Sequence, residues 1–188
     1  MILATFRRGR NNPNIHTLYG AIVAQARLPC FYTLYGVADS VEGRFELIVL
    51  HMVLLLRRID RQESDNPGAR PFDQAVGQPL FDAFCGDLDD NLREMGVGDL
   101  AVPREMRRFG EAFYGRQAVY IAAFAAGDAH ELEKVLARNI FGAIDTDDRA
   151  GRLARYARAA AAYLDAETPE RLLAGQAVFP GPEPFVHA

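Results

Sequence analysis

Apolar residues recur along most of the chain at the three- and four-residue spacing of helices, and strand-like alternation is scarce. This pattern predicts an all-α fold. The predicted helices cover about residues 13–27, 39–61, 72–95, 103–126, 128–142 and 147–166, and a short final turn begins at residue 168. Because no repeat or long linker interrupts them, we expect a single compact helical bundle-like domain of about six helices over residues 13–175. Residues 1–12 are expected to be a flexible N-terminus, and residues 176–188 an irregular tail.

Several predicted helices begin at residues that cap helices. Asn12 precedes Pro13, whose missing N–H costs nothing at the first helical position. Asp39 and Glu42 have the spacing of a capping box at the start of the second helix. Asp128 is expected to open the fifth helix.

The segment GVGDLA at residues 96–101 has the spelling G-x-G-x-x-[GA] of a dinucleotide-binding loop. That loop requires a strand before it and a helix that opens on its third glycine position, which here is Ala101. A predicted helix precedes the segment instead. We therefore interpret Gly96 as the left-handed residue that ends the third helix, with Val97 as its apolar follow-up contact. Pro103 then starts the fourth helix, so the segment is predicted to be the hinge of an α-hairpin.

The second helix carries two apolar faces. The wide face is predicted to be core and comprises Val41, Phe45, Ile48, Val49, Met52, Leu55, Leu56 and Ile59. Leu47, Leu50 and Leu54 lie on the opposite side. Two interpretations of this stripe remain open: a central helix wrapped on all sides by its own domain, or a docking surface for an apolar segment of a partner. His51 lies beside the stripe and is expected to be a hydrogen-bonded structural residue.

The third and fourth helices carry charged edges beside apolar stripes. The third helix is expected to bury Leu80, Phe81, Phe84, Leu88, Leu92 and Met95. Asp87, Asp90 and Glu94 line up along one edge of this stripe. The outer side of the fourth helix carries Arg104, Arg107, Arg108, Glu111 and Tyr114. These charges are interpreted either as a solvated face, with Glu111 paired to Arg107 and Arg108, or as an arginine–carboxylate lattice between the two helices.

Sequence patterns of catalysis are absent. The chain contains no G-x-S-x-G, C-x-x-C-H or H-E-x-x-H motif. The acids Asp87, Asp90 and Glu94 could bind a metal, but a di-iron bundle also needs Glu-x-x-His pairs, and the chain has none. We therefore expect no enzyme, no metal and no cofactor, and keep a helical enzyme with a carboxylate-bound metal as an alternative.

Charge and apolar run length narrow the classes of partner. The net charge is −4, so the field of the whole molecule does not favour nucleic acid, and DNA is not an expected partner. On the sixth helix Arg152, Arg155 and Arg158 form a stripe that is either solvated surface or a contact for the phosphate of lipid or RNA. A membrane-surface or RNA-binding adaptor is therefore a further alternative. The most apolar run, at residues 47–56, is about half of a membrane span, so no transmembrane helix is expected.

Two long segments resemble a known family. Residues 31–59 contain Y-G-V-x-D followed by E-G-R-F-E-L-x-V-L-H-x-x-L-x-L-R-R, and residues 81–116 contain D-D-N-L-R-E-M-G-V-G-D and F-G-E-A-F-Y-G-R. They closely resemble the ubiquinol–cytochrome c reductase chaperone family, whose members are assembly factors for the cytochrome bc complex of respiration. The resemblance runs from about residue 17 to 142. Ala38 departs from it, because the family pattern is expected to have proline there.

The resemblance implies an all-helical protein that binds newly made cytochrome b and supports its maturation into the complex. Mitochondrial members of the family work with a small partner protein near the ribosomal tunnel exit on the inner membrane. The short segment before the first helix and the composition indicate a bacterial member without a mitochondrial targeting segment, expected to be cytoplasmic and peripheral to the inner membrane. Further candidate partners are the ribosome and a small partner protein. We expect cytochrome b to dock on the leucine stripe of the second helix and on the charged edges of the third and fourth.

Overall fold

The structure, a computed structural model, describes residues 13–65, 76–143 and 148–187, and within them all regular secondary structure is helical. The helices are α1 Pro13–Ala26, α2 Pro29–Thr33, α3 Val41–Asp65, α4 Gln78–Glu94, α5 Val102–Ala125, α6 Ala129–Ile140, α7 Arg149–Ala166 and α8 Pro169–Leu173, followed by a 3₁₀ turn Glu183–Phe185. The predicted all-α fold is confirmed. The predicted cap Asn12 and the first residues of the predicted third helix lie outside the described residues.

Helix α3 is the centre of the molecule. It packs against α1, α5, α6 and α7. Leu47, Leu50 and Leu54 are fully buried, so the expectation that they form an accessible docking stripe is wrong. The reason is that α7 covers this side of α3, as shown by the contact of His51 with Tyr156 of α7. The other interpretation, a central helix wrapped by its own domain, describes the structure.

The start of α3 is capped differently from the sequence prediction. The backbone N–H of Gly43 donates to Ser40 Oγ at 3.1 Å, so Ser40 occupies the capping role expected for Asp39 with Glu42. Asp39 instead accepts a hydrogen bond from Arg44 Nε at 2.7 Å. The loop before α3 lies very close to its first turn, because a Cβ atom on Gly43 would be 2.0 Å from the carbonyl oxygen of Ala38.

The turn between α4 and α5 is the predicted hinge. Gly96 has φ +79°. Its N–H donates to the carbonyl of Arg93 at 3.0 Å, and the N–H of Val97 donates to the carbonyl of Leu92 at 3.0 Å. These two bonds form a Schellman motif, which satisfies carbonyls of the last turn of α4. Since a helix and not a strand precedes GVGDLA, the dinucleotide-loop interpretation is excluded.

Two buried charged groups fix the neighbours of α3. Glu46 accepts from Arg116 of α5 through three hydrogen bonds of 2.7 to 3.1 Å. At the other end, Arg58 donates from Nε to the carbonyl of Leu164 at 3.1 Å and from Nη2 to that of Glu167 at 2.8 Å. Arg58 thereby donates to two carbonyls at the end of α7; that of Leu164 also accepts from the backbone N–H of Glu167 at 3.1 Å.

His51 is a buried, hydrogen-bonded residue, as expected from the sequence. Its Nδ1 lies 2.7 Å from the carbonyl of Leu47 and its Nε2 2.7 Å from Tyr156 Oη. Because a carbonyl only accepts, Nδ1 carries the proton and Nε2 accepts from the tyrosine. Gln25 of α1 donates to Tyr156 Oη at 3.0 Å and to the carbonyl of Pro180 at 2.8 Å. The network therefore joins α1, α3, α7 and the C-terminal tail.

The tail after α8 is irregular apart from the 3₁₀ turn, yet it packs against the helices. Tyr35 Oη donates to the carbonyl of Pro182 at 2.6 Å. The ring of Phe179 contacts His51 with centroids 5.2 Å apart, and the ring of Phe185 lies 6.2 Å from Tyr156. The tail thus closes one side of the core, away from the groove described next.

Candidate functional site

An apolar groove opens between α1, α3 and α4, with α5 at one edge. It encloses about 720 Å³, including the part open to solvent. Its apolar lining consists of Tyr19, Val41, Phe45, Ile48, Phe84, Leu88, Leu92, Met95 and Phe109. Phe84 and Leu92 are buried at the floor, whereas Val41 and Met95 at the rim are each 58% exposed. The cavity within it is about 160 Å³, smaller than a typical enclosed ligand pocket, so its apolar lining suits a side chain or short segment laid into a cleft.

Aromatic rings from four helices form the floor of the groove. Phe84 of α4 lies 6.4 Å from Tyr19 of α1 and 6.1 Å from Phe45 of α3, measured between ring centroids. Phe45 also lies 5.1 Å from Phe109 of α5. Tilted ring pairs at these distances add a favourable interaction to the stabilisation that comes from burying the rings. These contacts help to hold the four helices in one arrangement.

The groove exists because the apolar stripe of α4 is only partly covered. Leu80, Phe84 and Leu92 are buried as expected from the sequence. Leu88 is half-buried, and the expectation that Met95 lies in the core is wrong, because none of the described elements packs over it. Apolar side chains therefore stay open to solvent at the rim of the groove.

One carboxylate lies among the apolar side chains of the groove. Tyr19 Oη donates to Asp87 Oδ2 at 2.8 Å, and Asn91 Nδ2 donates to the backbone carbonyl of Asp87 at 2.6 Å. Burial, together with the bond to Asp87, raises the pKa of Tyr19 well above its ordinary value. The phenol therefore stays protonated and holds one oxygen of the carboxylate.

The mouth of the groove is cationic. Arg27, at the end of α1, and Arg44, in the first turns of α3, line both the groove and an adjoining polar pocket. The pocket is completed by Pro29, Tyr32, Thr33 and Asp39. Arg44 pairs with Asp39, and that pair is more than half exposed. Among the described residues, Arg27 has no ion pair.

The predicted acidic edge of α4 is divided by the structure. Asp87 points into the groove, whereas Asp90 and Glu94 are exposed and do not line it. In this part of α4 the ion pairs are made by Arg93, to Asp89 at 2.7 Å and to Asp99 in the hinge at 2.5 Å. Asp87 therefore lines the groove while Asp90 and Glu94 lie on the exposed surface of α4, and a shared binding role of the three acids stays a prediction.

The predicted outer face of α5 is exposed as expected. The residues on it are Arg104, Arg107, Arg108, Glu111 and Tyr114. Arg104 and Arg108 contact Glu105, at 3.3 and 3.5 Å, whereas the spacing predicted that Arg107 and Arg108 pair with Glu111. The ion pairs seen here are thus local to α5 and do not form the expected lattice with α4. Exposed pairs of this kind contribute at most about 1 kcal/mol each.

Tyr114 differs from its charged neighbours on α5. Its ring is 57% exposed and packs against Phe81, with centroids 5.4 Å apart. The two rings border a shallow pocket that also includes Leu56, Asp60 and Gln117. This pocket is separate from the groove, because the two share no lining residue.

The arginine stripe of α7 has internal partners. Arg152 Nη1 donates to the carbonyl of Leu34 at 3.1 Å, and Arg158 Nη2 donates to that of Asp128 at 2.6 Å. Arg155 contacts the Asp148 carboxylate at 3.4 Å. Contact of the three arginines with phosphate stays a prediction.

Within the described ranges there is no group of three or more His, Cys, Asp or Glu side chains that could hold a metal ion. In the same residues, no helix combines the length and the apolar character that a membrane crossing requires. The candidate site is therefore an apolar groove with a cationic mouth. Six of its residues were not predicted as site residues from the sequence: Tyr19, Arg27, Arg44, Phe45, Phe84 and Phe109.

Comparisons with known proteins agree with this architecture. Residues 33–179 match the family model described as ubiquinol-cytochrome C chaperone. The crystal structure of the Cbp3 homolog from Brucella abortus superimposes with a TM-score of 0.79 and 35% sequence identity, over 97% of this chain and 98% of that chain. Among curated protein sequences there is no significant match. The resemblance predicted from the two motif segments is confirmed, and the chain belongs to the ubiquinol–cytochrome C chaperone family.

Proposed function

We propose that this protein is a non-enzymatic assembly chaperone, which binds newly synthesised cytochrome b and supports the biogenesis of ubiquinol–cytochrome c reductase. Membership of the chaperone family supports the role in assembly. The observation that carries the choice of site is the open apolar groove, because its lining comes largely from the two motif segments, residues 31–59 and 81–116.

The physical demands on such a chaperone fit the groove. A membrane protein that has not yet inserted exposes apolar segments, which need a temporary partner in water. The groove offers a rigid aromatic floor and a polar mouth, which is the arrangement of a protein interface with an apolar centre. We propose that an apolar segment of cytochrome b occupies it, while the protein stays on the cytoplasmic side and peripheral to the inner membrane. The ribosome and a small partner protein are further proposed partners.

The test is affinity capture of the tagged protein from membranes of its host, with cytochrome b quantified in the captured material. The groove variant carries Val41→Asp and Met95→Asp, because both side chains are mostly exposed at the rim and should tolerate polar replacement without unfolding. The matched control carries Leu173→Asp and Val178→Asp, two exposed apolar positions outside the groove. We expect the groove variant to lose most of the captured cytochrome b and the control to retain it.

Two results would contradict the proposal. Wild-type protein that enriches no cytochrome b would remove the assigned client. A folded groove variant that captures as much cytochrome b as the control would remove the groove as its site.

A further inference from the structure

We propose that the groove selects apolar segments in which an acidic side chain follows the apolar stretch, and that Arg27 and Arg44 bind this carboxylate. The inference rests on the proposed docking of a client segment in the groove and adds the chemistry by which that segment is chosen. It is argued from the way two cavities share the two arginines.

The two arginines lie at the boundary between an apolar and a polar cavity. The groove and the adjoining pocket have Arg27 and Arg44 in common, whereas their other lining residues differ. In the groove, the two arginines share the lining with the apolar residues Val41, Phe45 and Ile48. A segment that fills the groove and continues toward the pocket therefore passes between an apolar floor and two guanidinium groups.

Neutral hydrogen-bond donors of the pocket are already used within the protein. Tyr32 Oη donates to the carbonyl of Ala26 at 2.9 Å, and Thr33 Oγ1 donates to that of Pro29 at 3.0 Å. The guanidinium of Arg27 and the N–H groups of Arg44 other than Nε, which donates to Asp39, are thus the side-chain donors that remain for a partner. Guanidinium groups present paired N–H donors that match the two oxygens of a carboxylate.

The charge at the mouth favours an acid over a base. Two arginines face one carboxylate, Asp39, which leaves an excess of one positive charge beside the pocket. The other acid of the groove, Asp87, does not line this pocket and already accepts from Tyr19. A lysine placed at the mouth would meet two like charges and one opposite charge, whereas a glutamate or aspartate would meet two opposite charges and one like charge.

The experiment uses the full-length protein and synthetic 20-residue amphipathic peptides with a fluorescent label. Each peptide has one face of leucine and alanine and an opposite face of glutamine and serine. The peptides differ in one terminal pair of residues, which is Glu, Gln or Lys. Each pair is tested at the N-terminus and, in a separate peptide, at the C-terminus. Binding is followed by fluorescence anisotropy at low salt. For one of the two placements we expect the Glu peptide to bind on the order of fivefold more tightly than the Gln peptide, with the Lys peptide weakest. Added salt should reduce this preference.

The variant Arg27→Gln with Arg44→Gln should bind the three peptides equally, while Arg138→Gln with Arg171→Gln, two exposed arginines of α6 and α8 outside the groove, should keep the preference. Thermal unfolding of each variant verifies that it is folded. A preference for Lys, a Glu preference that survives in the Arg27/Arg44 variant, or binding of no peptide overturns the inference. None of these results bears on the capture of cytochrome b from membranes, so the proposed function is judged separately.

Discussion

At the scale of single residues, the glycine in the E-G-R motif has a steric reason that the sequence does not reveal. Gly43 is in the first turn of α3, and the carbonyl oxygen of Ala38 occupies the space where a Cβ atom would be. Ala38 is the position at which the family pattern is expected to have proline. Because the contact with Gly43 is made by the backbone oxygen of residue 38, it does not depend on whether the side chain there is proline or alanine. The close approach brings the loop onto the helix start, beside the mouth of the groove.

Gly43→Ala should destabilise the protein by about 2–3 kcal/mol, because the new methyl group would overlap a backbone oxygen at 2.0 Å. This loss exceeds the helix-propensity gain of about 1 kcal/mol that alanine brings. Urea unfolding followed by circular dichroism measures the change. Gly115→Ala is the matched control: nothing lies within 4 Å of its added Cβ, so it should stabilise α5 by about 0.5–1 kcal/mol. Equal stabilities for the two variants would contradict the steric explanation.

His51 makes folding depend on pH. Complete burial lowers the pKa of this histidine from 6.5 to about 4. Between these values the unfolded chain binds a proton that the folded protein does not, so stability falls as the pH decreases from 6.5 toward 4. The contribution is fully present above pH 6.5 and amounts to roughly 3 kcal/mol at most.

The measurement is the unfolding free energy of wild type and His51→Gln at pH 7.5 and at pH 5. The variant is expected to be less stable at pH 7.5, since glutamine does not fill the site, but its stability should fall less steeply with acid. Carboxylates affect both proteins alike, so the difference between the two slopes isolates the histidine. His130→Gln, at an exposed position of α6, should keep the slope of the wild type. A His51 variant with the full wild-type slope would show that this side chain is not the origin of the acid sensitivity.

At the scale of elements, helical periodicity predicted the helices but not what covers each face. Four apolar residues at helical spacing show this: Leu47, Leu50 and Leu54 of α3, and Met95 directly after α4. The first three are buried under α7 and the last is exposed at the groove. Periodicity records which positions are apolar, whereas burial depends on contacts with residues far away in the chain. The groove, built from four helices, could therefore not be located from the sequence.

Some features of the elements were predictable because they are local. The hinge at Gly96 follows from the need for a left-handed residue after a helix, and the cap Asp128 accepts from the N–H of His130 at 2.9 Å as expected. Pairing of charges was not predictable. Glu46 and Arg116 are 70 residues apart in the chain, and no spacing rule connects them.

The end of α7 should depend strongly on one arginine of α3. Arg58→Met keeps the apolar part of the side chain but removes the two hydrogen bonds to the carbonyls of Leu164 and Glu167, of which the first still accepts from the N–H of Glu167. We expect a loss of about 2–3 kcal/mol. Arg61→Met is the control, because Arg61 is exposed and its pair with Asp165 contributes at most about 1 kcal/mol. Thermal unfolding that shows the same small shift for both variants would mean that the carbonyls find water, and that Arg58 does not stabilise α7.

At the scale of the whole molecule, the beginning and the end of the described chain are held together by hydrogen bonds and packing. Asn14 Nδ2 in α1 donates to the carbonyl of Leu173 in α8 at 2.9 Å. Beyond α8, the tail accepts hydrogen bonds from Gln25 and Tyr35. The sequence analysis assigned residues 176–188 to an irregular tail outside the helical domain, but the packing of Phe179 against His51 shows that the tail contributes to the core. Composition alone could not show this, since proline-rich segments carry no periodicity from which contacts can be inferred.

Truncation after Val178 should therefore unfold the protein or lower its unfolding free energy by more than about 3 kcal/mol. It removes an aromatic ring from His51 and another from Tyr156, and it takes away the carbonyl acceptors of Tyr35 and Gln25. Truncation after Val186, which deletes only the last two residues, should leave stability unchanged, because Val186 itself still packs in the core. Both truncated proteins are compared with the full chain by urea unfolding. If the protein truncated after Val178 were as stable as the full chain, the helices alone would close the core. The tail would then have no part in holding together the four helices that form the groove.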